Sequence, residues 1–540
     1  MDSSPGIVPA GSIEKERSGV RREFLKSAGA GLAGAAIGSL AIPAHAKPAP
    51  SGSDQYSVQA FGAKGDGKTL DTPAINKAIE AAAAAGGGTV VLPPGSYLCY
   101  SIHLRSKVDL YLGRGATIVA AESPASGGGY DPPEPIAWDK YQDFGHSHLH
   151  NSLLWGEDIA NISILGPGLI WGKGLSRGTG DQQLPAGVGN KAISLKNCHN
   201  VILRDFSILH GGHFGILATG VDNLTIDNLT IDTNRDAIDI DCCRNVRVSN
   251  CSVNSPWDDG ICLKSSFGLG YARSTDHVTI TNCYLTGGYE EGTVLDDTYK
   301  PISPEKAPRN GRLKFGTESN GGFRNITVSN CVIDTCRGVA LESVDGALLE
   351  DVSISNLTMR NPVDVPFFLR LGSRMRGPEG VPVGQLRRVN ISDVVVSNCA
   401  SRQATIITGI PGHSLEDIKL SNILVQHQGG GSVQDATIQV PEIEAVYPDP
   451  NRFGPIPAHG FFIRHVKGLS MRDVEVKYAK EDLRPAILLD DVQGADFVHL
   501  KMQHAENVPT FTLKNVEDFT LYQTRPLPDT HLDKAAQQNL

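Results

Sequence analysis

The chain lacks an excess of positive charge, since 59 aspartates and glutamates outnumber 49 lysines and arginines for a formal net charge of −10. Such a balance gives no overall field that would attract a polyanion, so we expect no nucleic-acid partner, although a local basic groove stays open as an alternative. The ten cysteines lack the spacing of a zinc site, and we expect no cofactor. What the 540 residues do contain is 59 glycines and 32 prolines among 40% hydrophobic residues, which suits a large core joined by many turns.

A long apolar run is missing as well. The stretch "RREFLKSAGAGLAGAAIGSLAIPAHA" places Arg21 and Arg22 before a short run rich in Gly and Ala, which ends in Ala44-His45-Ala46. These are the parts of a removable twin-arginine export signal, and a transmembrane anchor fits less well because the run is short and its residues are small. We predict a signal over residues 1–46, a mature chain from about Lys47, and an exported periplasmic or secreted protein that does not contact the membrane after signal removal.

Four of the cysteines share one local setting, because each directly follows an asparagine. They are Cys251, Cys283, Cys331 and Cys399. Equivalent positions in a repeat predict stacked, buried small residues rather than a framework of disulfides.

One strand-like phrase recurs from residue 161 onward, and its closest copies are 22 and 23 residues apart. Each copy alternates apolar and polar residues, as a half-buried strand does, and no helical periodicity separates the copies. The spacing is too short for a βαβ unit, and a β-propeller blade would need about 40 residues or more. The copies are "NISILG" (161), "NVILRD" (200), "NLTIDN" (223), "NVRVSN" (245), "HVTITN" (277), "NITVSN" (325), "DVSISN" (351), "RVNISD" (388) and "DIKLSN" (417).

The repeat predicts an all-β fold, a right-handed parallel β-helix. Although the length alone would suggest several domains, we expect residues 47–540 to form a single catalytic domain with a less regular C-terminal portion. The longer gaps between copies, such as 277 to 325, should hold loops that wall a groove. Ahead of the repeat, we predict a capping helix from Thr72 to about Ala85, with Asp71 or Thr72 as its N-cap and Gly86 just beyond its end.

The stretch "NRDAIDIDCCRNVRVSNCSVNSPWDDGICLKSS" contains five aspartates among apolar residues. Superposing the apolar pairs that begin at Ile238 and Ile261 places Asp236 beside Asp259 on adjacent coils, about 4.8 Å apart. Asp258 precedes Asp259 directly, and the two side chains reach one side only if they lie at a turn or bulge, which Gly260 favours.

Three carboxylates in one groove repel each other, so at least one should keep its proton. Glycoside hydrolysis needs this arrangement, because one acid protonates the leaving oxygen while another carboxylate activates water. Two other interpretations remain open at this point: solvated aspartates in turns, and a Ca²⁺ site.

On these residues the chain resembles the polygalacturonases, glycoside hydrolase family 28. The family's Asn-Thr-Asp motif is similar to Asn234-Arg235-Asp236, and its Asp-Asp motif corresponds to Asp258-Asp259. The resemblance runs from about Phe61, in "FGAKGDG", to beyond Thr358. It implies an inverting mechanism in which Asp258 is the general acid while Asp236 and Asp259 hold the attacking water.

The chain departs from the family pattern at positions that are expected to bind the sugar. No histidine stands at Asn310-Gly311-Arg312, where the family has Gly-His-Gly, and Ala340-Leu341-Glu342 replaces the Arg-Ile-Lys that binds a galacturonate carboxylate. Loss of two cations and the added charge of Glu342 disfavour an anionic sugar. We therefore predict a neutral sugar in the cleaved position, such as one within a pectic side chain, unless Arg337 or Arg312 reaches the same subsite.

Further candidates for substrate binding surround these acids. We expect His213 to contact substrate or tune Asp258, and Lys264 to pair with Asp241 or a substrate oxygen. The remaining candidates are Glu318 at the end of "FGTE", Glu342, Arg337 and the sugar-stacking Trp257, with Trp155 and Trp171 as further aromatics. "HSHLH" should place His146, His148 and His150 on one strand face, where they would line the groove or, less favoured, bind a transition metal.

The expected partner is a polysaccharide or oligosaccharide, bound by a monomer. Two other functions stay open: a Ca²⁺-dependent lyase of the pectate-lyase type, against which the missing Arg/Lys pair counts, and a glycan-binding β-helix without catalysis, which would not need aligned acids.

Overall fold

The computed structural model describes residues 55–123, 128–178, 184–303, 310–399 and 404–540. The predicted export signal over residues 1–46 and the predicted mature start at Lys47 lie outside these ranges.

The described chain is a right-handed parallel β-helix, as the repeat predicted. A representative coil consists of the strands Phe214–Thr219, Asp222–Asp227 and Thr230–Asp232, and the next coil of Asp236–Asp241, Arg244–Ser249 and Ser252–Asn254. Each strand pairs in parallel with its counterpart one coil later, so that Phe214 faces Asp236 and Asp222 faces Arg244.

The other strands continue this stack in both directions, apart from the small hairpin Tyr289–Glu291 with Lys300–Pro301. Earlier strands are Gln55–Ser57, Asp66–Leu70, Gly88–Leu92, Gly95–Cys99, Ile102–His103, Val108–Leu112, Ala116–Ala120, Leu154–Glu157, Ala160–Leu165, Leu169–Trp171, Lys191–Lys196, His199–Arg204 and Ser207–Leu209. Later strands are Ile261–Ser265, Thr275–Thr281, Tyr284–Thr286, Leu313–Ser319, Phe323–Asp334, Val339–Ser343, Leu348–Arg360, Phe367–Leu371, Gln385–Cys399, Thr405–Thr408, Leu415–Gly429, Phe461–Lys480, Ile487–Val498, Lys501–Met502, Phe511–Tyr522 and Thr530–Asn539.

The first residue of every recurring phrase lies inside a strand and bends the backbone there. All nine have a positive φ, between 51° and 58°, a conformation that asparagine and aspartate tolerate better than most residues. The asparagine side chains also bond from coil to coil, as when Asn223 Nδ2 donates to Asn200 Oδ1 at 2.9 Å. Seven of the nine phrases therefore begin with asparagine or aspartate, the residue types that this backbone conformation favours.

Apolar residues of successive coils stack inside the solenoid. Ile238 faces Ile261, which faces Leu313, which in turn faces Val339, and none of the four is more than 1% exposed. Full burial of one such side chain stabilises the fold by about 1.5 to 3 kcal/mol. The predicted apolar register is confirmed.

Both ends of the stack are covered. The helix Thr72–Ala84 buries Ile75 and Ile79 against the first coils, close to the predicted span. Asp71 stands at its N-cap but, contrary to expectation, makes no capping bond, because its carboxylate accepts from the backbone N–H groups of Lys64 and Gly65. At the other end, Thr530–Asn539 pairs antiparallel with the last parallel strand and shields its edge.

The remaining helices are short. They are Phe144–Ser147 and the 3₁₀ turns Val58–Phe61, Asp139–Tyr141, Asp435–Thr437 and Pro450–Phe453. Within the described ranges, no helix has both the length and the apolar character needed to cross a membrane.

All ten cysteines are buried, and no disulfide forms among the residues that the structure describes. Cys251, Cys283 and Cys331 follow the register of one column of adjacent coils, as predicted. Cys399 does not belong to that column, because Cys331 faces Leu357, which in turn faces Val394.

Candidate active site

Asp236 and Asp259 lie at the start of neighbouring coils. Ile238 faces Ile261 in the parallel ladder, and the Ala237 N–H donates to the Asp259 carbonyl at 3.1 Å. The Asp259 N–H is 3.3 Å from Asp236 Oδ1. The adjacent placement follows from the regular coil length on this side of the helix.

Asp258 reaches the same place because the chain bends just before the strand Ile261–Ser265. Oxygen atoms of Asp236, Asp258 and Asp259 all lie within 4.8 Å of one another. Gly260 makes the bend feasible, since a Cβ there would approach the Gly311 carbonyl oxygen to 2.7 Å. The three predicted catalytic residues are therefore brought together at one point.

Each of two carboxylates in this trio has a cationic partner. Arg235 Nε donates to Asp258 Oδ2 at 3.0 Å, and the Asp258 side chain remains 26% exposed. Arg312 Nε donates to Asp259 Oδ1 at 2.8 Å, while Lys314 Nζ lies 3.1 Å from Oδ2 of the same carboxylate. Burial would raise the pKa of Asp259, but the facing Lys314 and Arg312 outweigh burial and hold that pKa well below its usual range.

Asp236 makes no ion pair with any residue of the described ranges and is only 4% exposed. Burial first, and the nearby charges of Asp258 and Asp239 next, raise the pKa of Asp236 well above its ordinary value. The raised pKa favours the protonated form of Asp236 and the lowered pKa favours the ionised form of Asp259, which is the division of roles that acid–base catalysis on a sugar requires.

Lys264 lies beside the trio and contacts two acids. Its Nζ is 3.2 Å from Glu318 and 3.6 Å from Asp239, and the expected pair with Asp241 does not form. Asp241 instead accepts from the backbone and hydroxyl of Ser266. Burial favours the neutral form of Glu318, but Lys264 and other cations hold its pKa well below normal.

Glu342 does not reach the groove, contrary to the expectation that it contacts substrate. It is 0% exposed and lies under Thr317, whose hydroxyl is 3.2 Å from its Oε2, with Arg312 and Lys314 at 3.8 and 3.9 Å. Burial raises the pKa of Glu342, against the opposing effect of Lys314 and Arg312. The two cations therefore balance the charge that was expected to repel a uronate.

Three further candidates lie away from the acids' cavity. Arg337 pairs with Asp449 at 2.8 Å and lines a separate small cleft together with Arg312 and Ala340. His213 is buried and stacked on Phe214; burial first, and then Arg235, lower its pKa well below normal. Trp257 is half-buried, with Arg177 over its ring at 5.6 Å.

The "HSHLH" residues do not share a strand face, because the segment begins as the short helix Phe144–Ser147. His146 points to the site, with Nε2 at 3.6 Å from Asp239 Oδ2. His148 stacks on Phe144, whereas His150 stacks on Trp155 and bonds Glu157. Within the described ranges, these histidines form no cluster with the geometry of a metal site.

A cavity of about 310 Å³ opens over the trio. Four cations line it, each 2.7 to 3.2 Å from a carboxylate that also lines it. The pairs are Arg235 with Asp258, Lys264 with Glu318, Lys314 with Asp259, and Arg376 with Asp143. The walls are thus highly charged, but their charges are internally balanced.

Sequence reasoning missed five residues of this cavity: Asp143, Lys314, Thr317, Arg376 and Tyr447. Tyr447 Oη lies 3.0 Å from the Thr317 hydroxyl and 3.3 Å from Lys314 Nζ, although it is more than a hundred residues from both in sequence. It comes from the long insertion between the strands Leu415–Gly429 and Phe461–Lys480, which follows no repeat.

Two family models match the chain. "Glycosyl hydrolases family 28" matches residues 141–290, which include the acid trio, and "Rhamnogalacturonase A/epimerase, pectate lyase-like" matches residues 55–144.

Individual relatives are distant in sequence. A Vitis vinifera protein described as "Probable polygalacturonase" is 24% identical over 394 residues, 68% of this chain and 74% of the relative. The exopolygalacturonase of Thermotoga maritima superposes with a TM-score of 0.57 at 18% identity, covering 79% of this chain and 92% of its own. The family 28 exopolygalacturonase of Yersinia enterocolitica gives 0.55 at 17% identity, covering 84% and 79%. These structures share the fold.

Proposed function

We propose that this chain, a glycosidase whose residues 141–290 match glycosyl hydrolases family 28, hydrolyses O-glycosidic bonds in pectic or related plant cell-wall polysaccharides with a neutral sugar in the cleaved position. The observation that carries the choice of sugar is the pairing of the cavity's four cations with carboxylates of the same cavity. A uronate would have to compete with those carboxylates, whereas a neutral sugar needs only hydroxyl contacts.

Asp258 is the general acid in this proposal. Its side chain is 26% exposed, against 1% for Asp259, so it is the better placed to meet a leaving-group oxygen. The proton favoured on Asp236 can pass to Asp258 through one bridging water, because their oxygen atoms lie within 4.8 Å of each other. When the glycosidic C–O bond breaks, Asp258 gives its proton to the leaving oxygen, while the attacking water bonds to the anomeric carbon and gives a proton to Asp259.

Inversion remains part of the proposal, although the trio is closer together than the roughly 6.5 to 9.5 Å of most inverting pairs. A retaining route needs a carboxylate that attacks carbon. Both oxygens of Asp259 contact Arg312 or Lys314, and these contacts hold the carboxylate in place beside the attacking water. Proton NMR of the first product should therefore show the inverted anomer, and a retained anomer would contradict this assignment.

The decisive experiment is reducing-sugar release from a panel containing polygalacturonate, rhamnogalacturonan and neutral pectic side chains. We expect cleavage of a substrate with a neutral sugar at the scissile bond and little or none of polygalacturonate. Efficient galacturonate release would overturn the proposed specificity but would still support the hydrolase activity. An unsaturated product that absorbs in the ultraviolet and disappears with chelator would instead indicate a lyase.

We also propose export by the twin-arginine route, with a monomeric mature enzyme. The support is the sequence around Arg21 and Arg22. Replacing both with lysine should keep the protein in the cytoplasm of the producing cell, as measured by cell fractionation. Unchanged export of that variant would refute the route.

A further inference from the structure

The insertion that carries Tyr447 is held against the β-helix by two buried arginines. Arg370 donates to the backbone carbonyls of Glu442 and Ile443 at 2.8 and 3.1 Å. Arg464 donates to those of Val440 and Pro441, both at 2.9 Å. Charged donors on a backbone are strong hydrogen bonds, so residues 440–443 are fixed close to the point where Tyr447 enters the cavity.

Tyr447 presents an exposed surface at that point. The residue is 43% exposed and lines the cavity that holds the acid trio. Lys314, which faces its ring at 5.7 Å and its hydroxyl at 3.3 Å, is the same lysine that binds Asp259. Lys314 therefore links Tyr447 to Asp259, one of the proposed catalytic carboxylates.

The hydrogen bonds of its hydroxyl have a direction. Thr317 has a single hydroxyl proton and two neighbours, Glu342 Oε2 at 3.2 Å and Tyr447 Oη at 3.0 Å. When Glu342 is ionised, as the two cations that face it favour, it only accepts and takes the Thr317 proton, whereas a protonated Glu342, which its burial favours, would reverse the direction. Tyr447 then donates to Thr317 and accepts from Lys314, and one lone pair of its oxygen is left for the cavity.

We propose that Tyr447 is the specificity-determining residue of this site, an aromatic contact whose hydroxyl oxygen accepts a hydrogen bond from a hydroxyl of a neutral sugar, with Glu342 setting that polarity through Thr317. The inference rests on the proposed glycosidase function and deepens it. An acceptor oxygen forms a hydrogen bond with a sugar hydroxyl but not with an ionised carboxylate, because the carboxylate has no proton to donate. Glu342 thus acts as a positioning residue, without contact with substrate.

The first test compares Tyr447→Phe with wild type on a neutral pectic oligosaccharide. Loss of the hydroxyl should lower kcat/KM about tenfold, and Thr317→Val should do the same by leaving Tyr447 without its acceptor. Tyr522→Phe is the matched control, because Tyr522 lies on the last parallel strand and is 49% exposed. Activity of Tyr447→Phe within twofold of wild type would overturn the proposal.

The second test reverses the direction of the hydrogen bonds that link Glu342, Thr317 and Tyr447. In Glu342→Gln, the new amide can donate to Thr317, which then donates to Tyr447, whose proton turns to the cavity. The ratio of kcat/KM for a galacturonate oligosaccharide to that for the neutral one should rise at least tenfold, with thermal unfolding measured alongside. An unchanged ratio in a folded variant would refute the role of Glu342.

A binding experiment separates this inference from the proposed function. Should the wild type cleave no glycan of the panel, the hydrolase proposal fails, and calorimetric titration of the neutral oligosaccharide still tests Tyr447. We expect Tyr447→Ala to weaken binding about tenfold or more while Tyr522→Phe leaves it unchanged. Equal affinity of Tyr447→Ala and wild type, or no binding by the wild type, would overturn the inference.

Discussion

Arg235 Nε donates to Asp258 Oδ2 at 3.0 Å, although the corresponding family motif has threonine at that position. The arginine fixes the orientation of the proposed acid and balances its charge. Arg235→Thr should therefore lower kcat by about tenfold to a hundredfold with a smaller change in KM, since misplacement of a catalytic group reduces turnover.

A double-mutant cycle with Asp258→Asn checks how Arg235 acts. An effect transmitted only through Asp258 should disappear when Asp258 is already changed. Additive losses in the double variant would show that Arg235 contacts substrate itself.

Asp258→Asn should remove most activity while leaving the fold intact. A general acid contributes about 10²- to 10⁴-fold, and asparagine preserves size but cannot deliver a proton. Steady-state rates on the preferred substrate give the loss, and circular dichroism reports the fold. Asp533→Asn is the control because the Asp533 side chain is 99% exposed at the far end of the solenoid. A loss below tenfold would contradict the assigned role.

Asp236 should make stability depend on pH. Burial and neighbouring carboxylates raise its pKa, so the folded protein binds this proton more tightly than the unfolded chain does. Its stabilising contribution is full below the unfolded pKa of about 3.9 and is lost as the pH rises through the raised folded value. Asp236→Asn, which never ionises, should gain stability relative to wild type between pH 3.5 and pH 7, by about 1.4 kcal/mol for each unit by which the pKa is raised.

Denaturant unfolding of both proteins at these two pH values measures that difference. Asp533→Asn again serves as the control, since exposed carboxylates should give no such trend. A constant difference between wild type and Asp236→Asn at both pH values would mean that Asp236 is not held protonated.

The regular coils made the acid trio predictable. Ile238 and Ile261 occupy matching interior positions on adjacent coils. The residues two positions before them, Asp236 and Asp259, are therefore neighbours as well. Wherever successive coils have the same length, equivalent residues of neighbouring coils lie side by side, because each pair of strands keeps the register of the preceding pair.

Predictions were wrong where the coils no longer have a constant length. Leu263 faces Phe315 but Ser265 faces Ser319, so the partner strand bulges and brings Glu318 beside Lys264, which was expected to pair with Asp241 or a substrate oxygen. "HSHLH" has the alternation of a strand, yet its first residues form a helical turn outside the stack. Tyr447 has no periodic signal at all, because an insertion places it by tertiary contacts alone.

The arginine anchors of that insertion give the last prediction. Arg370→Met removes the donor for the carbonyls of Gly409, Glu442 and Ile443 while filling much of the same space. Loss of these bonds should cost about 1 to 3 kcal/mol and loosen the segment that presents Tyr447. We expect KM to rise more than kcat falls, together with faster proteolysis within residues 430–456, mapped by mass spectrometry. Arg472→Met, at an exposed position of the strand Phe461–Lys480, is the control. Faster cleavage elsewhere in the chain, or an unchanged KM with increased cleavage in the insertion, would show that the anchors stabilise the fold without positioning Tyr447.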